Sequence, residues 1–279
     1  HIILPCDERN PGSVRIACSW LAQGGLAGRD GPCESDPMTR PPPRRGWRFA
    51  IDRGGTFTDI VARDPDGRLH THKVLSRDPS HPGDPAIRGI GDVIRSSAPG
   101  GAHVESLRLG TTVATNALLE RKGEPTLLVT TRGLRDVLRI GQQHRPDIFA
   151  RAIRLPPMLY ARAIEARERI DSAGQVLEPL DEPALVEALA DARRRGLRAV
   201  AIAFLHAVRN PVHELRAAAL AVAAGFDEIV MSHAVAPIIG LVARGDSAVA
   251  DAYLSPVLSH SVNAFQSELA GQHGEPPLL

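Results

Sequence analysis

Residues 49–61 of this chain read FAIDRGGTFTDIV, which is an apolar strand, a glycine turn and a second apolar strand. Gly54 and Gly55 lack side chains and reach backbone conformations closed to other residues, so their amides can approach an anion closely. Thr56 and Thr58 add hydroxyl donors beside the turn. The pattern predicts a hairpin that holds phosphate, although a glycine pair between apolar runs is also an ordinary turn signal. On these residues alone, both interpretations stay open.

Two carboxylates flank the predicted turn. Asp52 ends the first strand and Asp59 lies in the second. Carboxylate oxygens suit a magnesium ion, which keeps most of its water and bridges to the phosphates of a nucleotide. Because carboxylates without the ion would repel a phosphate, metal and nucleotide form a single hypothesis.

A second informative block, at residues 106–123, reads SLRLGTTVATNALLERKG. It predicts a strand, a turn at Gly110 and a helix that begins at Thr111 or Thr112 and ends at Gly123. The free N–H groups and the positive dipole end of such a helix can receive an anion. A threonine that only caps the helix is the alternative interpretation.

The composition bounds the function classes. The chain has 279 residues, of which 43% are hydrophobic and 23% charged, enough for one or two globular domains. A net charge of +1 and 4% aromatic residues favour neither nucleic acid nor an anionic membrane as partner. No apolar run approaches the roughly 20 residues that cross a bilayer, and no signal-peptide pattern opens the chain. We therefore expect a cytoplasmic protein.

The amino-terminal residues 1–46 combine glycines and prolines with scattered charges, which predicts a disordered leader. Cys6, Cys18 and Cys33 all lie there, with spacings that match no zinc or redox motif. Because Met38 stands just ahead of the foldable region, we hypothesise that it is the natural start.

Downstream of these blocks, apolar strands alternate with helices. Strands are predicted at 125–130, 197–205 and 228–231, and helices at 181–195 and 210–224. This alternation indicates an α/β layer with crossover connections.

Three separated segments resemble one protein family. The pattern Asp-x-Gly-Gly-Thr-x-Thr-Asp at residues 52–59 resembles the first phosphate motif of the actin-like ATPases. Its wider form resembles the amino-terminal region of the hydantoinase/5-oxoprolinase family. Residues 110–123 resemble a segment of the 5-oxoprolinase branch, and so does RGDSAVADAYLSP at residues 244–256. The resemblance covers residues 47–265.

The resemblance implies an α/β fold, specifically an actin-like ATPase (ribonuclease-H-like) half with a mixed sheet flanked by helices. After the leader at 1–46, it implies a hydantoinase/oxoprolinase N-terminal domain at 47–240. Residues 241–279 would then open the following hydantoinase A domain. Enzymes of this branch are far longer, so we interpret the chain as truncated.

The implied activity is ATP-dependent hydrolysis of 5-oxo-L-proline, or a related cyclic amide, to L-glutamate or its counterpart. Phosphorylation of the amide oxygen would activate an unreactive lactam, with catalysis resting on positioning and charge neutralisation. The implied cofactors are ATP and Mg²⁺, and the full-length enzyme would be a homo-oligomer. Another actin-like phosphotransferase, a hydantoinase subunit and an inactive fragment stay open as alternatives.

Carried onto this sequence, the resemblance assigns the metal to Asp52 and Asp59 and leaves the residues that open the lactam unassigned. A polar loop at His144 and Arg145 could bind a substrate carboxylate or could be plain surface. The residues assigned to nucleotide binding are Asp52, Gly54, Gly55, Thr56, Thr58, Gly110, Thr111, Thr112 and Asn116.

Overall fold

The computed structural model describes residues 46–81, 83–97, 103–143, 149, 151–152 and 155–273. The predicted leader except Gly46, the predicted start at Met38, and both His144 and Arg145 lie outside these residues. Cα packing divides the chain into two compact units. The first comprises His1–Thr112 with Val262–Leu279, and the second comprises Val113–Ser261. This division differs from the family boundary predicted after residue 240, which stays a prediction.

The first unit contains the predicted hairpin. Its elements are β1 (Trp47–Arg53), β2 (Phe57–Arg63), β3 (Leu69–Leu75), α1 (Pro85–Ser97) and β4 (Val104–Thr111). The sheet order is β3-β2-β1-β4. The first three strands are antiparallel neighbours, and β4 runs parallel to β1. The sheet is therefore mixed, as predicted.

One face of this sheet forms the core of the first unit. Strand alternation turns Phe49 and Ile60 inward, where they share a core with Ile87 and Ile90 of α1. The helix comes close to the sheet, because a Cβ added at Gly89 would lie 2.0 Å from Cδ1 of Ile60. A glycine at this position therefore permits the approach of the helix to the sheet.

Among the described residues, the second unit contains twelve elements. In chain order they are α2 (Val113–Leu119), β5 (Thr126–Thr131), α3 (Val137–Ile140), β6 (Tyr160–Ala166), β7 (Arg169–Ile170), β8 (Val176–Glu178), α4 (Glu182–Arg194), β9 (Ala199–Ala203), α5 (Val212–Ala223), β10 (Glu228–Met231), α6 (Ser232–Val235) and α7 (Leu241–His273). Four of the strands form a parallel sheet with the order β10-β9-β5-β6, and β7 and β8 form a two-stranded antiparallel ribbon.

Helices cover both faces of the parallel sheet. Val200 of β9 faces a core that includes Leu189 of α4 and Ala217 of α5. Ala201, the next residue, faces a second core that includes Ala252 of α7. Because both faces are buried, β5 and β9 are continuous runs of buried residues rather than alternating ones.

The helix α7 has 33 residues, and its part from Val262 onward belongs to the first unit, where Phe265 and Leu269 are buried. In the residues that the structure describes, neither α7 nor any other helix combines the length and apolar character needed to cross a membrane.

Candidate functional site

The hairpin places the two predicted metal ligands side by side. In the β1–β2 register, Asp52 lies directly opposite Asp59, and both are exposed. Directly opposite residues in an antiparallel pair have Cβ atoms about 4.5–5.5 Å apart. The register extends the line to Lys73 of β3, opposite Asp59, and to Gly110 of β4, opposite Asp52. We call Lys73, Asp59, Asp52 and Gly110 the carboxylate row; all four are exposed on the outer face of the sheet.

Two contacts characterise the carboxylate row. Lys73 Nζ lies 3.0 Å from Oδ1 of Asp59 and 5.2 Å from the centre of the Phe57 ring. At the other end, a Cβ added at Gly110 would lie 3.4 Å from Oδ1 of Asp52. A side chain at position 110 would therefore be in van der Waals contact with the Asp52 carboxylate.

The glycine turn is open on its outer side. Gly54 N–H donates to the carbonyl of Phe57 at 3.0 Å, which closes the turn. A Cβ added at Gly55 would meet nothing within 4 Å. Neither Gly54 nor Gly55 has a φ in the left-handed region, which corrects the expectation that the turn requires glycine conformations. At Gly54 a Cβ would lie 3.1 Å from the Phe57 carbonyl oxygen, so the tight turn itself favours glycine there, whereas Gly55 faces open space.

Ser76, just after β3, stabilises the glycine turn through two hydrogen bonds to its backbone. Its N–H donates to the carbonyl of Thr56 at 2.9 Å, and its hydroxyl donates to the carbonyl of Gly54 at 2.8 Å. The Thr58 hydroxyl lies 2.9 Å from the Ser76 oxygen and, since the single hydroxyl proton of Ser76 goes to Gly54, Thr58 is the donor.

This arrangement corrects the predicted role of Thr58 as a hydroxyl donor to phosphate. Thr58 is 0% exposed and lies on the core face, because consecutive strand residues alternate and its neighbour Asp59 faces outward. Thr56, by contrast, is exposed in the turn.

Arg53, the last residue of β1, fixes the hairpin to α1. Its guanidinium forms an ion pair with Asp84, and both side chains are largely buried. Asp84 also caps α1, accepting from the N–H of Ala86 at 2.8 Å. The Arg53 carbonyl accepts from both the N–H and the hydroxyl of Thr112 at 3.4 Å. The ends of β1 and β4 are thereby joined.

The second block differs in part from its prediction. Gly110 lies within β4 rather than in a turn, and Thr111 ends that strand. Thr112 stands immediately before α2, at the predicted cap position, but α2 ends at Leu119 instead of Gly123. Asn116 is exposed on α2 and belongs to the second unit, whereas the hairpin, Gly110, Thr111 and Thr112 belong to the first.

The donor set of the carboxylate row fits magnesium. Asp52 and Asp59 offer carboxylate oxygens there. Among the described residues, no group of three or more His, Cys, Asp or Glu side chains could hold a metal. Magnesium is commonly held by one or two carboxylates together with water and substrate phosphates. A closed structural site of the zinc type needs more protein ligands than the row supplies.

A cavity of about 300 Å³ in the first unit does not coincide with this site. It is lined by residues that include Arg48, at the start of β1, and Arg63, at the end of β2. Those residues lie at the opposite end of the hairpin from the glycine turn. The carboxylate row is therefore an open surface site rather than the wall of this cavity.

A second polar cluster, absent from the sequence predictions, lies at the carboxyl ends of the parallel strands. In open α/β sheets this edge is the usual place for ligands. All of its members are buried or nearly so. We call this set the edge network: Thr131, Glu168, His213, Glu214, Ser232, His233 and Arg244.

Glu214, in the first turn of α5, is the hub of the edge network. Its Oε1 accepts from the N–H of Phe204 at 2.9 Å and from the hydroxyl of Ser232 at 2.5 Å. Its Oε2 accepts from the N–H of His233 at 3.1 Å and lies 2.5 Å from the Nδ1 of the same residue. Glu214 therefore ties together the segments that follow β9 and β10.

Arg244 supplies the buried positive charge. Its Nε donates to Ser232 Oγ at 2.8 Å, one terminal nitrogen donates to the carbonyls of Ile238 and Ile239 at 3.1 and 3.2 Å, and the other donates to the carbonyl of Phe204. Burial lowers the pKa of Arg244, and the nearby charge of Glu214 opposes that shift. Each nitrogen of this guanidinium, whose residue is 0% exposed, thus has a hydrogen-bond acceptor.

Glu168 forms the other half of the edge network. Its Oε2 lies 2.7 Å from Nδ1 of His213, and its other oxygen accepts from the Thr131 hydroxyl. β6 ends at Ala166 and β7 begins at Arg169, so Glu168 lies in the short connection between them, where it is buried. One sequence signal for the edge network was available: polar residues, such as Thr131 and Ser232, directly follow predicted buried strands.

The chain resembles proteins of known family. Residues 48–225 match the hydantoinase/oxoprolinase N-terminal region. The chain is 37% identical over 263 residues to 5-oxoprolinase 1 of Arabidopsis thaliana, covering 83% of this chain and 21% of that protein. It is 38% identical over 242 residues to the caprolactamase subunit alpha of Pseudomonas jessenii, covering 82% of this chain and 34% of that subunit. The chain therefore spans about a fifth to a third of the length of these relatives.

Solved structures resemble the fold over the same share of the chain. The ATP-dependent caprolactamase from Pseudomonas jessenii superposes with a TM-score of 0.71 at 34% identity, covering 83% of this chain and 34% of that one. Nucleotide-free acetone carboxylase superposes with a TM-score of 0.67 at 21% identity, covering 83% and 35%, which bears on the fold alone. The predicted α/β, actin-like fold class is confirmed. Because the family match covers most of the chain, this protein belongs to the hydantoinase/oxoprolinase family, whose N-terminal region it contains.

Proposed function

We propose that this chain is the phosphate-binding N-terminal part of an ATP-dependent cyclic amide hydrolase that converts 5-oxo-L-proline to L-glutamate. The observation that carries the proposal is the pair of exposed carboxylates, Asp52 and Asp59, placed opposite each other beside an open glycine turn. A 5-oxoprolinase relative at 37% identity supports this substrate.

The residues of the site have distinct roles in this proposal. Asp52 and Asp59 hold a hydrated Mg²⁺ by their outward carboxylates. The Gly55 amide and the Thr56 hydroxyl hold a phosphate, the Gly54 N–H closes the turn, and Gly110 places no side chain beside the Asp52 carboxylate. Thr58 acts through Ser76 by fixing the turn. Roles for Thr111, Thr112 and Asn116 rest on resemblance.

Bound Mg·ATP would supply a phosphoryl group for the amide oxygen of the lactam, which would make the amide carbon reactive towards water, with phosphate as the leaving group. The hairpin contributes by positioning: its ends are fixed by the ion pair of Arg53 with Asp84 and by the bonds of Ser76. A rigid hairpin holds the phosphate-facing groups in one orientation.

We place the whole enzyme in the cytoplasm as a homo-oligomer.

A related lactam is the second candidate substrate, favoured by the 38% identity to the caprolactamase subunit alpha. Product analysis separates the two candidates, because only 5-oxoproline yields glutamate. Transfer of phosphate to a stable acceptor without amide cleavage would instead indicate another phosphotransferase of the same fold.

The decisive experiment changes the hairpin in the full-length enzyme that carries this chain. Asp52→Asn removes a metal-directed charge, and Gly55→Val places a branched side chain where phosphate and backbone must meet. Both variants are expected to lose ATP turnover and glutamate release while keeping their thermal stability. Matched controls are Asp66→Asn and Gly240→Val, which change an exposed aspartate and an equally open glycine elsewhere. Normal turnover in either hairpin variant would leave the hairpin as a structural element only.

A further inference from the structure

The third strand contributes a cation to the outer face of the hairpin. Lys73 lies in register with Asp59, its ammonium is 3.0 Å from Oδ1 of that residue, and 58% of its side chain is exposed. The Phe57 ring, 5.2 Å from Nζ, lies on the same face. The ammonium is therefore held loosely at the surface, beside one of the two carboxylates assigned to the metal.

The charges of the row explain why a cation is needed there. Like charges directly opposite each other destabilise a sheet, and Asp52 and Asp59 are such a pair. Lys73 compensates one of the two negative charges. Without a metal ion, the carboxylate row therefore carries one excess negative charge and repels phosphate. A divalent ion would reverse the sign and make the row attractive to phosphate.

The ammonium lies at Oδ1 of Asp59, so a metal on Asp59 would compete with it for that carboxylate. An ammonium on a flexible four-carbon stem can change partners without moving the backbone. When a metal takes Asp59, the released ammonium is left on the face where the phosphate is expected.

We propose that Lys73 is a phosphate-binding residue with two successive partners, Asp59 in the empty protein and the nucleotide phosphate once a divalent ion occupies Asp52 and Asp59. The proposal rests on the proposed function and adds a residue that the phosphate motif does not contain.

The proposal predicts opposite effects of a single substitution. Lys73→Gln removes the competing cation, so a divalent ion alone should bind about two- to fivefold more tightly, the range of an exposed ion pair. The same variant lacks the charge that meets the phosphate, so nucleotide should bind about tenfold or more weakly, the range of a charged hydrogen bond. A lysine that only stabilised the sheet would shift both affinities in the same direction or leave both unchanged.

Both affinities can be measured on the full 279-residue chain. Mn²⁺ binding without nucleotide is followed by electron paramagnetic resonance, and Mg·ATP binding by ³¹P NMR titration up to millimolar concentration. Lys73→Arg, which keeps the charge, should restore nucleotide binding. Lys122→Gln is the control, because Lys122 forms a comparable exposed pair with Glu120 at 2.6 Å. Weaker binding of both ligands to Lys73→Gln, or no change in either, would overturn the proposal.

Asp52→Asn, measured in parallel, distinguishes failure of the proposed phosphate site from failure of the role proposed for Lys73. If the unchanged chain binds neither ligand, or if Asp52→Asn leaves both affinities intact, the proposed phosphate site fails and Lys73 with it. If Asp52→Asn abolishes binding while Lys73→Gln changes nothing, the role of Lys73 alone is refuted.

Discussion

Glu214→Ala tests whether the edge network holds the second unit together. The substitution leaves buried donors of Phe204, Ser232 and His233 without their acceptor, and it removes the carboxylate nearest to the buried charge of Arg244. A buried donor left without a partner costs about 1–3 kcal/mol. Glu214 and Arg244 are linked through the Ser232 hydroxyl, and leaving a buried charge without its compensating partner costs about 3–5 kcal/mol.

Because these losses share one side chain, they do not add, and we expect the free energy of unfolding to fall by about 3–5 kcal/mol in total. For a protein of this size, such a loss lowers Tm by roughly 6–20 °C. Urea unfolding followed by circular dichroism measures the change. Hydrogen exchange of the segments after β9 and β10 locates it, since these segments lose their common acceptor.

The matched control is Glu187→Ala, which removes an exposed glutamate from the neighbouring helix α4 and should change stability by less than about 0.5 kcal/mol. Glu214→Gln keeps the volume and one acceptor oxygen, so its loss should lie between those of the control and Glu214→Ala. A loss below about 1 kcal/mol for Glu214→Ala would refute the reasoning, because the donors would then have found other partners.

Three further predictions concern other positions. Gly123→Ala places a Cβ 2.1 Å from the ring of Tyr253 and should destabilise by about 1–3 kcal/mol in thermal unfolding, whereas Gly240→Ala, in open space, should not. Burial raises the pKa of Asp251 and also that of Glu228. The contribution of Asp251 to stability is therefore present at acid pH and is lost as pH rises through its folded-state pKa. Asp251→Asn should therefore be more stable than the parent at pH 7 and equal to it near pH 3; an equal gain at both pH values would contradict this. Thr112→Ala should cost about 1 kcal/mol if the Thr112 hydroxyl only donates to the Arg53 carbonyl, with Thr71→Ala as an exposed control. A loss of ATP turnover in the full-length enzyme larger than that stability loss would assign Thr112 to the site.

The sequence predicted the hairpin well because its determinants are local. Apolar alternation and the Gly-Gly turn place Asp52 and Asp59 on adjacent strands, and the structure confirms the strands and the mixed sheet that contains them. The same strand alternation also predicts that Thr58 faces the core, contrary to its assignment as a phosphate ligand. Residues 58 and 59 cannot face the same side of a strand, so a motif that counts both as ligands disagrees with the two-residue period.

By itself, the sequence determined the α/β class, most of the element order and the pair of carboxylates at the turn, since each depends on local patterns, and its resemblance to known proteins indicated the family. Only the tertiary structure decided which residues meet across the chain. Lys73 reaches Asp59 because β3 pairs in one register with β2, and Ser76 reaches Gly54 for the same reason. The edge network joins partners far apart in sequence, such as Glu168 with His213, through strand order and helix crossings. Periodicity reports which face of an element is buried, whereas the identity of the partner on that face is set by packing.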